Sequence, residues 1–491
     1  MLMAFDTQSS QDYKRFLAVK SLPRYTFRGV FANVPDEYAH LLGRAHVEDT
    51  TVYHPIPGLF DYQRDIAAMA IRKRRYAVFA DCGLGKTLIM AEFVRHARAN
   101  LPASRSVLIV SPLMVIPQTI AEFKRWYPDA PAPQRIHASQ LADWTENGSG
   151  VGITNYDALH EDIPQGKLGA LILDESSMLK SHYGAWGQSC IRLGKGLEWK
   201  LCLTGTPAPN DRIEYANHAV FLDKYPTVNA FLARFFVNRG QTDNRWELKP
   251  HALGPFYRSL SDWSIFLTNP GVYGWKDNCA DLPPIIVNIE DVSLTTEQRS
   301  LVQDRTGALF ASEPGGIVKR SALAQIGKGF VGDQKVSTNK PDHIRRIVES
   351  HRDESIIIWC HYNREQETLA AMMPDAANIT GATPDHERER LIDGFKAGKI
   401  RVLITKPRIL GFGLNLQIAS RHIFSGLQDS YEEYYQAVKR SNRYGSTKPL
   451  HVHIPVTEIE RPMIDTVLRK ATRIVADTIE QERIFRDASR I

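Results

Sequence analysis

The chain has 491 residues, 43% hydrophobic and 24% charged, a length and balance that suit two or three globular domains with real cores. A membrane-spanning class is excluded, because no run approaches the roughly 18 apolar residues that a spanning helix needs; the opening Met-Leu-Met-Ala-Phe-Asp-Thr-Gln lacks a secretory pattern. The net charge of +6 permits a polyanionic partner without demonstrating one, and five scattered cysteines with no C-x-x-C pair indicate neither a zinc site nor a disulfide framework, so a reduced cytoplasm fits.

In chain order, residues 1–50 form an accessory segment with an amphipathic stretch at Asp12–Val19. Residues 51–220 then alternate short apolar strands with helical stretches, the strands falling at Ala77–Ala80, Val107–Val110, Gly152–Thr154, Leu171–Leu173 and Leu201–Leu203. Residues 221–285, rich in aromatics, Pro, Gly and Asn, break this rhythm and read as an insertion plus connector. A second alternating series in 286–460 has strands at Ser355–Trp359, Asn378–Ile379, Val402–Ile404, His422–Phe424 and His451–Ile454, and 461–491 read as closing helices. Continuous apolar strands separated by helices predict parallel sheets covered on both faces. Two such series predict an α/β chain of two doubly wound lobes.

Tyr76 to Met90 reads as a strand, a tight glycine turn and Lys-Thr opening a helix. Gly83 and Gly85 let the backbone N–H groups curl toward phosphates, and the helix N-terminus adds positive potential. Lys86 then reaches the β/γ-phosphates and Thr87 offers its hydroxyl to Mg²⁺. The plainer alternative is a glycine-rich turn with an incidental lysine.

At the end of the strand Leu171-Ile-Leu stand Asp174 and Glu175. A carboxylate there can hold Mg²⁺ through water, and its neighbour can orient and deprotonate an attacking water. Leu203-Thr-Gly-Thr-Pro207 offers hydroxyls that could sense a γ-phosphate, although such a segment alone is more often a turn. In the second series Gln436, Arg440 and Arg443 are spaced i,i+4 and i,i+3, which predicts one face of a helix. Two guanidinium groups on one face make an arginine-finger device. The alternative is an exposed basic helix paired with Glu432 and Glu433. Gly411-Phe-Gly413 supplies a flexible loop.

Taken in order, these segments resemble the superfamily-two helicases and translocases, within them the Swi/Snf-related branch. The resemblance rests on Leu59-Phe-Asp-Tyr-Gln63, Ala80-Asp-Cys-Gly-Leu-Gly-Lys-Thr87, Leu108-Ile-Val-Ser-Pro112 with Glu122-Phe-Lys-Arg-Trp126, Ile153-Thr-Asn-Tyr156, Asp174-Glu-Ser-Ser177 with Leu179-Lys180, and Leu203-Thr-Gly-Thr-Pro207. In the second lobe it rests on Ile356-Ile-Ile-Trp-Cys360, Thr380-Gly-Ala-Thr383, Thr405 through Asn415, and Gln436-Ala-Val-Lys-Arg-Ser-Asn-Arg-Tyr-Gly445. Ser176-Ser177 stand where many relatives carry Gly-His or Ala-His, and Ala80 replaces a frequent acidic residue.

The resemblance implies two RecA-like lobes with ATP and Mg²⁺ bound between them. Gln63 would read adenine, Gly413 and Gln436 would join the nucleotide set, Glu175 would activate water, and Arg440 and Arg443 would act as fingers. A nucleic-acid track is implied at Ser111, Pro112, Thr154, Asn155, Tyr156, His361, Tyr362, Thr380, Gly381, Thr405 and Lys406. The implied activity is an ATP-driven DNA translocase or helicase acting on single-stranded, duplex or branched DNA, with replication or recombination proteins as candidate partners, in a minimal form like that of phages and mobile elements. A slow nucleotide-gated clamp and an RNA motor are the alternatives. Trp246, Phe256, Tyr257, Trp263, Tyr273 and Trp275 of the insertion would either stack bases or form a small satellite core.

Overall fold

In the computed structural model the described residues are 1–43, 52–160, 163–179, 184–240, 246–278, 282–309, 316–410, 414–427 and 431–489. They fall into two compact units, Met1–Asp277 with Val475–Ile491, and Asn278–Ile474.

The first unit begins with β1 (Leu2–Ala4), β2 (Thr26–Arg28) and β3 (Phe31–Asn33), an antiparallel sheet in the order β1-β3-β2. The helix Ser10–Lys20 accompanies it, and Met3, Val19, Leu22, Ala32, Val34 and Tyr38 form its own small core. Tyr38 donates its hydroxyl to Asp262, a carboxylate only 3% exposed that also draws Arg24 and Lys73.

The larger sheet of this unit is built from β4 (Arg75–Ala80), β5 (Ser106–Val110), β6 (Gln134–Arg135), β7 (Gly150–Thr154), β8 (Leu168–Asp174) and β9 (Trp199–Leu203). The hairpin strands β10 (Phe236–Asn238) and β11 (Trp246–Leu248) stand apart, and β12 (Ser264–Leu267) completes the sheet. Its order is β12-β4-β9-β8-β5-β7-β6, every pair parallel. Every residue of β5, β8 and β9 is buried, as expected for strands covered on both faces. Because Leu203 pairs with both Val78 and Asp174, the exits of β4, β8 and β9 share one edge of the sheet. That edge carries the site.

The stretch 221–285 departs from the sequence reading. It contributes β12 and a large part of the first unit's core, with Phe256, Tyr257 and Trp263 buried among Phe79, Tyr215 and Phe266. Tyr273 and Trp275 are each 9% exposed. These rings are core, which leaves no base-stacking role for them. Only the free flank of β4 makes Ser264–Leu267 a strand, and so short a run does not announce itself. From the C-terminal helix Arg461–Ser489, Phe485 is buried in this unit, Gln481 donates to Tyr215 Oη (3.2 Å), and Glu482 accepts from Thr268 N (2.6 Å) and Thr268 Oγ1 (2.7 Å).

The second unit contains β13 (Ile285–Asp291), β14 (Phe330–Val331), β15 (Gln334–Lys335), β16 (Ile356–Trp359), β17 (Ala377–Asn378), β18 (Val402–Thr405), β19 (Arg421–Phe424) and β20 (Leu450–Val456). A six-stranded parallel sheet runs β13-β20-β19-β16-β18-β17. Its core gathers Ile344, Val348, Ile356, Ile358, Leu369, Ile404 and Ile423. The two doubly wound lobes expected from the strand rhythm are both present. At the exits of β19 and β20 Glu460, 1% exposed, is gripped by Lys340 Nζ (2.7 Å), Lys328 Nζ (3.1 Å) and Thr457 Oγ1 (2.6 Å).

Candidate nucleotide-binding and catalytic site

The turn after β4 is made by two left-handed glycines, Gly83 (φ 90°) and Gly85 (φ 72°), a conformation open to residues without a Cβ. Lys86 and Thr87 begin the helix Lys86–Asn100, so their side chains and its first N–H groups surround the turn. Lys86 Nζ lies inside the loop, donating to Ala80 O (2.9 Å) and Asp81 O (3.4 Å). Gln63 comes from the helix Asp61–Lys73 and is 2% exposed. Its Oε1 accepts from Phe60 N (3.0 Å) and its Nε2 donates to Leu84 O (3.3 Å), so it is tied to the glycine turn.

At the end of β8, Asp174 Oδ2 accepts from Ser111 Oγ (2.9 Å) and Oδ1 from Glu175 N (3.1 Å). Burial, with the Glu175 carboxylate beside it, pushes the Asp174 carboxyl up to about 6, against the pull of the Ser111 hydroxyl and the Lys86 ammonium. The lone pairs that Asp174 keeps are hard oxygen donors, and with Thr87 they suit a Mg²⁺ shared with phosphates. Glu175 is 6% exposed and sits at φ 51°, the left-handed region. Its Oε2 accepts from Thr204 Oγ1 (3.3 Å). Thr204 also accepts from Thr206 N (3.2 Å), and Gly205 lies so close to the loop that a Cβ there would stand 3.3 Å from Ala80 O. One sheet edge therefore joins the glycine turn, the acidic pair and the Thr-Gly-Thr segment.

The residues expected along a nucleic-acid track divide. Ser111, Thr154, Tyr156 and Thr405 are all buried with their hydroxyls turned inward. Ser111 holds Asp174, Thr154 Oγ1 donates to Ile136 O (2.9 Å), Tyr156 Oη to Asp174 O (2.7 Å), and Thr405 Oγ1 to Ile379 O (3.1 Å). These four side chains are corrected from contact residues to internal braces. Pro112, Asn155, His361, Tyr362, Thr380 and Lys406 are half-buried and Gly381 is exposed. Glu365 fixes the His361–Tyr362 turn by accepting from both backbone N–H groups (2.9 and 3.1 Å).

A second correction concerns the arginines. The helix Tyr431–Val438 carries Gln436 and stops before Arg440 and Arg443, which lie in an irregular turn. Tertiary bonds end the helix: Leu416 N donates to Arg440 O (2.9 Å) and Ser441 Oγ to Leu416 O (2.8 Å), after which Gly445 turns at φ 90°. The i,i+4 face is absent. Arg440 is 3% exposed and Arg443 half-buried. Gln436, 2% exposed, donates to Glu432 Oε1 (3.4 Å). Gly413 and Lys180 lie outside the described residues. Sequence reasoning passed over Asn217 and His218 of the helix Tyr215–Phe221, which reach the acidic turn with no motif to mark them.

Comparison with known proteins gives a match to the SNF2-related domain over residues 72–351, more than half of the chain, and to the helicase conserved C-terminal domain over 339–445. The mouse DNA annealing helicase and endonuclease ZRANB3 is 24% identical over 80% of this chain and 38% of its own length. Putative protein p41 of Acyrthosiphon pisum secondary endosymbiont phage 1 is 26% identical over 85% of this chain and 97% of its own. The chain thus spans about two fifths of the mammalian relative and nearly all of the phage one. Among solved structures, S. cerevisiae Dbp5 bound to RNA and ADP BeF3 shares the fold of two RecA-like lobes, with a TM-score of 0.51 at 15% identity over 87% of this chain and 93% of that one.

Proposed function

The chain belongs to the SNF2-related family, and from that membership we propose that it is an ATP-dependent DNA translocase or helicase, driven by hydrolysis at the edge of the first unit's sheet. The observation that carries the proposal is the convergence, within one unit, of Lys86 on its glycine turn with Asp174, Glu175 and Thr204.

The reaction needs a cradle for phosphates, a base for water and charge to stabilise the transition state. Gly83, Gly85 and the N–H groups opening the helix at Lys86 form the cradle, and Lys86 adds a cation. Gln63, beside the turn, is suited to adenine. Thr87 and Asp174 would hold Mg²⁺, which neutralises phosphate charge when bound. Glu175 orients and deprotonates the attacking water, with Thr204 Oγ1 aiming its carboxylate. Gln436, Arg440 and Arg443 complete the nucleotide site during turnover, the arginines acting on the developing charge. Coupled lobe movements carry the chain along DNA. The remaining track candidates are Pro112, Asn155, His361, Tyr362, Thr380, Gly381 and Lys406, through backbone and side-chain contacts to phosphates that carry no base information. Partners from replication or recombination and a reducing, cytoplasmic setting fit this reading. Among the described residues four cysteines are free and no helix is long and apolar enough to cross a membrane.

The test is the ATPase rate without nucleic acid and with single-stranded DNA, duplex, forked DNA and RNA, for the parent and for Lys86→Ala. Stimulation by DNA in the parent, abolished in Lys86→Ala, is expected. Preferential stimulation by RNA, or a slow rate that no nucleic acid raises, would replace the motor on DNA by an RNA motor or a slow clamp.

A further inference from the structure

The turn that follows Asp174 is held in a conformation that its own residues disfavour. Among the described residues only Arg74, Glu175 and Asp223 have a positive φ without being glycine. Glu175 is the one of the three proposed to act on water. A left-handed non-glycine residue persists where its surroundings over-determine it, so the bonds on either side of Glu175 decide where its carboxylate stands.

Upstream, Tyr156 Oη donates to Asp174 O (2.7 Å). Downstream, the grip comes from the helix Tyr215–Phe221. His218 Nε2 lies 3.1 Å from Ser176 Oγ, and Asn217 Nδ2 donates to Leu179 O at 2.5 Å. Both His218 and Ser176 are 0% exposed. The His218 Nδ1 faces Glu214 O at 3.4 Å. The imidazole is thus held between the Glu214 carbonyl and the Ser176 hydroxyl. Burial drives the imidazole down to about 4, which keeps it neutral near pH 7. The Phe79 ring packs edge-on against it at 5.3 Å.

We propose that His218 is a positioning residue for hydrolysis: by its hydrogen bond to the Ser176 hydroxyl it locks the left-handed turn that aims Glu175 at the attacking water. This rests on the reading of Glu175 as the base. A role confined to core packing would alter stability and leave the turnover of the folded protein unchanged.

The experiment measures DNA-stimulated kcat and KM for ATP, with the thermal midpoint, for the full chain. Ser176→Ala removes a single oxygen and is the variant most certain to fold. It and His218→Leu are each expected to lower kcat about tenfold with KM within twofold, and the double variant to be no worse than either. His218→Gln, whose side-chain amide can hydrogen-bond the same hydroxyl, is expected to recover most of the rate. In a Glu175→Gln background, His218→Leu should leave the residual rate unchanged, since both act on one group. Parental kcat in Ser176→Ala, or a further tenfold loss from His218→Leu in the Glu175→Gln background, would overturn the proposal. Parental turnover in Glu175→Gln alone would instead remove the base assignment on which it rests.

Discussion

Replacing Gly85 by Ala tests the phosphate cradle at its most constrained point. Gly85 sits at φ 72°, where a residue with a Cβ is disfavoured by roughly 1–2 kcal/mol. The new Cβ would also stand 2.1 Å from Gln63 Nε2, well inside contact distance. Gln63 is 2% exposed and its amide bonds both Leu84 O and Phe60 N, so swinging it aside breaks one or two hydrogen bonds of about 0.5–1.5 kcal/mol each. Together these disfavour the cradle by roughly 2–4 kcal/mol. At about 1.4 kcal/mol per tenfold, the expected loss in apparent ATP affinity is roughly 30- to 1000-fold. Equilibrium titration of the full chain with a fluorescent ATP analogue and Mg²⁺ measures it, with circular dichroism as the control for folding. An affinity within about threefold of the parent would refute the assignment of this turn to the phosphates.

Tyr156→Phe removes the hydroxyl that braces Asp174 O, a loss of about 0.5–1.5 kcal/mol at the acidic turn; hydrolysis should fall several-fold while DNA affinity stays within twofold, and the reverse pattern in paired ATPase and DNA-binding titrations would return Tyr156 to the nucleic-acid track. Arg440→Ala and Arg443→Ala should each cut stimulated hydrolysis by about 10³-fold with ATP binding within a few-fold, and lysine should restore little because it lacks the bidentate fork. Normal hydrolysis with weakened DNA binding in both would move the arginines to the track. Burial alone would raise the Glu460 carboxyl, but the Lys340 and Lys328 ammonium groups hold it down to about 2. A depressed carboxyl stabilises the fold above its unfolded pKa and ceases to as pH falls through the folded one, so about 3 kcal/mol should be lost between roughly pH 5 and pH 2. Glu460→Gln should be destabilised at pH 7, with that acid dependence flattened in urea unfolding monitored by hydrogen exchange in the second unit.

What the sequence determined by itself was chemistry expressed by near neighbours along the chain. A glycine turn needs its glycines within a few residues of Lys86, and a strand buried on both faces needs an unbroken apolar run, so β5, β8, β16 and the loop before Lys86 were legible from local patterns. The acidic pair was legible because it follows such a run directly. Tertiary structure decided whatever depends on a partner distant in sequence. Whether a hydroxyl at a strand end points out or in is set by the adjacent strand, so Ser111, Thr154 and Thr405 became braces once Asp174, Ile136 and Ile379 lay beside them. Helical spacing at Arg440 and Arg443 yielded to bonds from Leu416 and Ser441 that end the helix at Val438. The run Ser264–Leu267 is too short to declare itself and became a strand only because β4 offered a free edge. The imidazole of His218 meets Ser176 across 42 residues of chain, a separation that no local pattern encodes and that the packing of one helix on the acidic turn alone supplies.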